Sequence, residues 1–287
     1  MGTSTSSSGA GPNVPFIPPW GEKLEALPIG TGELNPPPQE EDEVNNQGSE
    51  PPVESIENIG ELAPPRRYAN ARRELRNYAV SSDNSYLKKA VGSFSKVGSG
   101  GAKKASRKMR ASTHAATNIL SLLMSLRDGR DSTVNSWAQK LLSKTPSASE
   151  IIDAIISETT TSGGTVDEES IKNSMSFALS ELIKKDENID LFKMTDNNIW
   201  NFIELYLSNE VKNKLIHEIG QLFEGSKNAP SKSMKNINMM RKYLQSEISE
   251  QLLGLRKDNP NPSIKQFQKI MDKALENTFI VYEGALQ

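Results

Sequence analysis

The side chains that most often carry catalysis or bind metals are scarce in this chain. It contains no cysteine and two histidines, His114 and His217. Without cysteine there are no disulfides, thiolate metal sites or cysteine nucleophiles. Neither histidine stands in a metal-ligand spacing such as HExxH, and His217 borders the apolar pair Ile216 and Ile219. We therefore expect no metal, no cofactor and no enzymatic activity.

Acidic side chains are the remaining candidates for acid–base chemistry. Asp167, Glu168 and Glu169 are consecutive, and Thr165 with Glu168 fits the capping-box pattern of a helix start. Acids in the first turn of a helix interact favourably with the helix dipole. We interpret this cluster as the beginning of a helix and not as a site.

The best candidate for anion binding is the segment GSGGAKK. Glycines before a helix expose backbone N–H groups, and neighbouring lysines add positive charge. The alternative, which we favour, is a glycine-rich connection with Gly98 as the C-terminal cap of the preceding helix. The residues of this candidate site are Gly98, Gly100, Gly101, Lys103 and Lys104.

The segment from Arg66 to Arg110 is strongly basic, with thirteen Lys and Arg residues against Glu74 and Asp83. A basic patch is the expected footprint of a nucleic-acid-binding protein, and interleaved aromatics can stack on bases. The aromatics here, however, fall on the inward stripe of predicted helices, so packing competes for them. An acidic partner surface is a further alternative, and the chain's own acidic N-terminal segment is one such surface. The aromatics are Tyr68, Tyr78, Tyr86 and Phe94.

The elements that position these residues are predicted to be helices, because the apolar residues recur with a period near 3.6. Residues 66–130 are expected to form a basic helical region with two helices, the second including Val97, and a long third helix over 102–126. Residues 131–287 are expected to form a C-terminal helical domain, with capping boxes at Ser147 and Thr165 and an N-cap at Ser263. No strand-like alternation of useful length occurs. The fold class is therefore all-α, a multi-helix bundle-like architecture.

Residues 1–65 differ in composition from the rest of the chain. They are rich in Gly, Ser, Pro and acids, and Lys23 is their only base against eleven acids. Such a stretch buries too little apolar area to offset its conformational entropy. We expect a disordered tail, and for the whole chain, whose net charge is −2, a cytoplasmic location without a membrane span or secretory signal.

Three separated blocks of this sequence resemble the QatB family of Qat anti-phage defence systems. They are MGTS with VPFIPPW at the N-terminal end, RRYANARRELRNYA, and YLKKAVGSFSKVGSGGAKKASRKM. The resemblance implies a defence component that works with an ATPase, a QueC-like enzyme and a TatD-like nuclease. It also implies that the QueC-like partner transfers a 7-deazapurine acyl group to an N-terminal glycine amine, which is Gly2 here.

The N-terminal residues are physically suited to that role. Removal of Met1 would leave an α-amine with a pKa of about 7.7–8.0, so a useful fraction is unprotonated near neutral pH. Thr3 and Ser4 belong to an uncharged segment that can enter a pocket at little desolvation cost. The docking segment behind it is predicted to be held extended by its prolines, with Trp20 as the main anchor. Its residues are Val14, Pro15, Phe16, Ile17, Pro18, Pro19 and Trp20.

Two other interpretations of this end remain open. Gly2 with Ser6 matches the short N-myristoylation pattern. The segment is otherwise a leader with a few incidental apolar residues, which are common on protein surfaces.

Overall fold

A computed structural model describes residues 66–160, 164–223, 230–259 and 262–286 of the chain. The predicted tail, Gly2 and the docking segment lie outside these residues. The described residues form ten α-helices and contain no strand, which confirms the all-α fold class for this part of the chain. None of these helices combines the length and apolar character needed to cross a bilayer.

The helices follow one another through short connections. Their bounds are α1 Ala69–Ser81, α2 Asn84–Ser93, α3 Ala102–Arg107, α4 Arg110–Asp128, α5 Ser132–Leu142, α6 Ala148–Thr159, α7 Val166–Lys185, α8 Asp196–Ile219, α9 Pro230–Asp258 and α10 Ile264–Gly284. A π-helical turn, Phe94–Ser99, follows α2, and a 3₁₀ turn, Gln221–Phe223, follows α8.

The helix starts are those that the sequence predicts. Ser147 and Thr165 both form complete capping boxes with the glutamates three residues later. Ser263 is the N-cap of α10, and the Gln266 side chain accepts hydrogen bonds from its backbone N–H and its hydroxyl. These bonds satisfy N–H groups that have no partner inside the helix.

One hydrophobic core joins the helices, and α10 is central to it. This helix contacts α2, α3, α4 and α9, while α7, α8 and α9 pack in sequence beside one another. The predicted stripes of α1 and α10 are buried, from Leu75 and Tyr78 to Phe267 and Phe279. Each large apolar side chain buried in this way stabilises the fold by about 1.5–3 kcal/mol. The core contains residues from both predicted helical regions, and their division at residue 130 stays a prediction.

The predicted long helix over 102–126 is wrong, because the chain breaks it at Lys108 and Met109. Met109 takes a non-helical conformation (φ −99°, ψ 11°) although its side chain is fully buried. The break gives α3 and α4 different directions, and both pack on α10. Tertiary packing therefore overrides a local sequence that favours one continuous helix.

The end of α2 also differs from the prediction. The π-helical turn widens the helix and shifts the register, so that Val97, predicted inward, is 47% exposed. Gly98 lies inward in its place, against the ring of Tyr68, where a Cβ atom would clash. The left-handed conformation belongs to Gly100 (φ +80°) and not to Gly98, so the predicted C-terminal cap is displaced by two residues.

Candidate functional site: the basic helical surface

The residues of the predicted anion site do not converge on one point. Gly100 and Gly101 both have positive φ and lead into α3, which has only six residues. The Lys104 side chain lies over Gly100, whereas Lys103 lines a cleft against α10. The segment therefore serves as a connection, and one of its lysines belongs to a different cluster.

The basic residues of α1 to α4 form an almost continuous exposed set, which we call the basic surface. Arg67 alone is partly buried; of this set only Arg73 forms an ion pair with a described residue, at 3.1 Å from Glu74. The exposed members are Arg66, Arg72, Arg73, Arg76, Lys88, Lys89, Lys96, Lys103, Lys104, Arg107, Lys108 and Arg110. A surface with so many unpaired cations attracts an anionic partner.

The aromatic residues of this region are committed to the core. Tyr68 stacks on Phe94 with ring centroids 5.6 Å apart, and the Tyr78 hydroxyl donates to the Asn236 carbonyl at 2.9 Å. Burial raises the pKa of Tyr78 to about 12. Only Tyr86 is partly exposed. Stacking of nucleic-acid bases on these rings is therefore not supported, and contacts to phosphate groups are the remaining mode.

The basic surface continues into a cleft of about 300 Å³ between α3, α4 and α10. Its cations are Lys103, Arg107, Arg110, Lys269 and Lys273, and its two acids are Asp272 and Glu276.

Both acids of the cleft have partners. Asp272 accepts a hydrogen bond from the Thr113 hydroxyl at 2.6 Å, and Glu276 lies 3.6 Å from the Lys273 ammonium. The cleft keeps a net charge of three positive, which suits a phosphate-bearing ligand or strand. Sequence reasoning identified Lys103 here but missed the two lysines of α10, whose i, i+4 spacing was the available signal.

A buried carboxylate lies elsewhere, where α4, α7 and α8 meet. Glu210 is 4% exposed and accepts hydrogen bonds from the hydroxyls of Ser112, Ser170 and Ser174, at 2.5, 3.1 and 2.6 Å. Burial raises the pKa of Glu210, and the three hydroxyls oppose that shift.

The neighbours of Glu210 complete a polar network. Asn209 donates to the Ser174 hydroxyl at 2.9 Å, and the Tyr206 hydroxyl donates to the Ser112 carbonyl at 2.8 Å. Perturbed carboxyls near serines are candidates for catalysis. Here, however, the carboxylate is fully engaged by hydroxyls of its own chain, which is typical of a structural network.

The histidines and acids assemble no metal centre in the part of the chain that the structure describes. His114 and His217 are both exposed and lie on different helices, α4 and α8. Asp167, Glu168 and Glu169 occupy the first turn of α7, as the capping box predicts.

The fold and surface together define the class of protein: a helical protein with a basic face and, in the described residues, no metal-binding cluster. A family model described as "Qat anti-phage system associated protein QatB" matches residues 100–282, and the chain belongs to this family. The match covers the helices from α3 to α10, whereas the sequence resemblance rested mainly on residues before 110. No curated protein and no solved structure matches the chain. Membership associates the chain with a Qat anti-phage system.

Proposed function

We propose that this chain is a non-enzymatic subunit of a Qat anti-phage complex whose Gly2 amine is acylated by a QueC-like partner. The helical region is the assembly scaffold, and the ATPase and the TatD-like nuclease of the same system are its other partners. Family membership supports the role in defence. The observation that carries the modification is the sequence of the N-terminal end, where small uncharged residues follow Gly2 and the cluster VPFIPPW follows them.

The chemistry of Gly2 supports this proposal. A glycine amine has no side chain to exclude it from an enzyme pocket, and its pKa lies more than two units below that of a lysine amine. In the reaction the free amine attacks an activated 7-deazapurine carboxyl carbon, forms an amide and releases the activating group. The docking segment, Val14–Trp20, raises the local concentration of that amine at the partner.

Intact mass spectrometry tests the modification. The chain is co-expressed with the QueC-like partner and its precursor, and its mass should rise by one deazapurine acyl group. Gly2→Glu, which prevents removal of Met1, should abolish the increase, and Gly11→Ala should leave it unchanged. An unmodified wild-type chain, or an equal gain in Gly2→Glu, would contradict the proposal.

Docking is tested separately by the rate of modification. Trp20→Ala should slow acylation by at least about ten-fold, because a buried tryptophan anchor contributes about 2 kcal/mol or more to binding. Leu27→Ala is the matched control, since it removes an apolar side chain from the same segment beyond the docking residues. Equal rates for both variants would remove the docking role while leaving Gly2 as the acceptor.

A second candidate function is nucleic-acid binding by the basic surface, which would deliver DNA or RNA to a partner nuclease. The observation in its favour is that twelve basic side chains are exposed and nearly all lack an ion-pair partner. Binding should weaken steeply with salt, and neutralising Arg72, Arg73, Lys103 and Lys104 should flatten the log–log slope by about 0.7–0.9 for each phosphate that these side chains bind in the wild type. Weak binding with no salt dependence would exclude this function.

A further inference from the structure

Arg241, on α9, is a buried cation without an anionic partner. The residue is 8% exposed, and its Nε atom is buried with no hydrogen-bond acceptor. No carboxylate among the described residues lies within 4 Å of its guanidinium, since none of the ion pairs includes it. A buried charge that is neither paired nor fully hydrogen-bonded is costly, so such groups in native proteins require an explanation.

The contacts that Arg241 does make hold its guanidinium in place without neutralising it. The group lies over the ring of Phe177, 4.5 Å from the centroid, and Nη1 donates to Gln245 Oε1 at 3.1 Å. Gln245 in turn donates to Glu204 at 2.6 Å, so the amide separates the guanidinium from that carboxylate. The fork is thus oriented and still has donors available.

The electrostatics around Arg241 are those of a site that lacks an anion. Burial lowers the pKa of Arg241. Burial, and then the charge of Arg241, lower the pKa of nearby Lys212 to about 8, although the charge of Glu210 opposes this shift. Two partly desolvated cations close together raise the local potential, and a bound anion would relieve both.

Arg241 lines a cleft of about 370 Å³ formed by α7, α8 and α9. The other charged residues of the cleft are Lys184, Lys185, Lys242, Glu181 and Glu204. Both acids are already engaged, Glu181 by Lys184 at 2.9 Å and Glu204 by Gln245. Four cations against two acids leave a net charge of two positive, close to the opposite of a phosphate monoester, which carries about −1.5 to −2 at pH 7.

We infer that the Arg241 cleft binds the phosphate group of a small phosphorylated ligand. The planar guanidinium offers parallel N–H donors that match two phosphate oxygens, and the exposed lysines at the rim supply the remaining charge. The cleft volume falls within the range of small-molecule sites. This inference does not depend on the modification of Gly2 or on nucleic-acid binding, because the cleft lies on α7 to α9 and the basic surface on α1 to α4.

Calorimetric titration of the full chain with inorganic phosphate and with AMP, at constant ionic strength, tests the site. Arg241→Met should weaken phosphate binding by at least about ten-fold, the effect of losing a hydrogen bond to a charged group. Arg256→Met is the matched control, since Arg256 lies on the same helix over the ring of Trp200 and is satisfied by Asn197 at 2.7 Å. It should bind phosphate as the wild type does.

Two further measurements keep the test independent of how Arg241→Met folds. Arg241→Lys keeps the charge but loses the fork, and should weaken binding several-fold. In the unmodified chain, the Arg241 Nε–H resonance should shift on addition of phosphate while that of Arg256 stays in place.

The outcomes divide clearly. Tighter binding of AMP than of phosphate would identify a nucleotide as the source of the phosphate group, and equal binding would identify the phosphate group alone; both support the site. The inference is overturned if phosphate does not bind, if acetate at the same ionic strength binds equally well, or if Arg241→Met binds phosphate unchanged.

Discussion

Glu210 and Arg241 are both buried charged side chains, yet their surroundings differ in kind. Glu210 is engaged by three serine hydroxyls from α4 and α7. Arg241 has a buried Nε without an acceptor, and it borders an open cleft. A satisfied buried charge connects helices, whereas an unsatisfied one beside a cavity indicates a binding site. Burial alone does not separate these roles, and the hydrogen-bond partners do.

The largest expected effect is that of Glu210→Leu on stability. The substitution leaves the buried hydroxyls of Ser112 and Ser174 without their acceptor, and a buried unsatisfied group costs about 1–3 kcal/mol. We expect the free energy of unfolding in urea to fall by about 3–5 kcal/mol, as for other disrupted buried charge networks. Glu250→Leu, on the exposed side of α9, should change it by about 0.5 kcal/mol or less. A loss below about 1 kcal/mol in Glu210→Leu would show that the network does not hold these helices together.

Lys212 provides the next largest effect, because it follows Glu210 closely in sequence and feels the charge of Arg241. The unfolded chain keeps the Lys212 proton up to about pH 10.5, whereas the folded chain releases it near pH 8. Between these values the unfolded state binds more protons, so the contribution of Lys212 makes stability rise with pH. Lys212→Met removes this dependence, and below pH 8 it should be more stable than the wild type by up to about 3 kcal/mol.

Urea unfolding at pH 7 and pH 10 measures this difference. Ionisation of tyrosines in the unfolded state affects both proteins equally, so the difference between them isolates Lys212. Lys265→Met, which removes an exposed lysine of α10, controls for the loss of one positive charge. An equal difference at both pH values would place Lys212 in contact with solvent and remove it from the cationic side of the comparison.

The fold was predictable where local periodicity decides it. The stripes of α1 and α10, the capping boxes at Ser147 and Thr165, and the N-cap at Ser263 all follow from residues within one or two turns of each other. The break at Met109 and the π-helical turn after α2 were missed, because packing on α10 and the Tyr68 ring on Gly98 are contacts between distant segments.

The sites were harder to predict than the helices, for the same physical reason. Ser112 and Glu210 are 98 residues apart, and nothing near either residue in the sequence indicates that they meet. Arg241 looks like an ordinary helical arginine until the absence of a carboxylate beside it is known. Lys103 was identified, but its partners Lys269 and Lys273 come from the last helix. Convergence of side chains from separate helices is a tertiary property.

Glu210→Gln tests the same network through pH. Because the folded pKa of Glu210 is raised, there is a range above its ordinary value in which the folded state alone holds the proton. Glu210 therefore stabilises the fold fully at low pH, and this contribution is lost as the pH rises through the folded pKa. The loss amounts to about 1.4 kcal/mol for each pH unit of that range.

The glutamine variant cannot titrate, so its stability should fall less than that of the wild type between pH 4.5 and pH 7.5. Chemical unfolding at several pH values measures the two curves, and Glu250→Gln controls for the loss of a surface carboxylate. Parallel curves for wild type and Glu210→Gln would mean that the hydroxyls of the three serines cancel the effect of burial.

The smallest expected effect is that of Arg241→Met on stability in phosphate-free buffer. Removing the guanidinium loses its interaction with the Phe177 ring, worth about 0.5–2 kcal/mol, and relieves the cost of an uncompensated buried charge. These terms oppose each other, so the free energy of unfolding should change by less than about 1 kcal/mol. Adding phosphate should then stabilise the wild type and Arg256→Met but not Arg241→Met, because only a ligand that binds the folded state raises its stability. A loss in Arg241→Met as large as that in Glu210→Leu would mean that Arg241 is held by groups of its own chain, and the two buried charges would then have the same structural role.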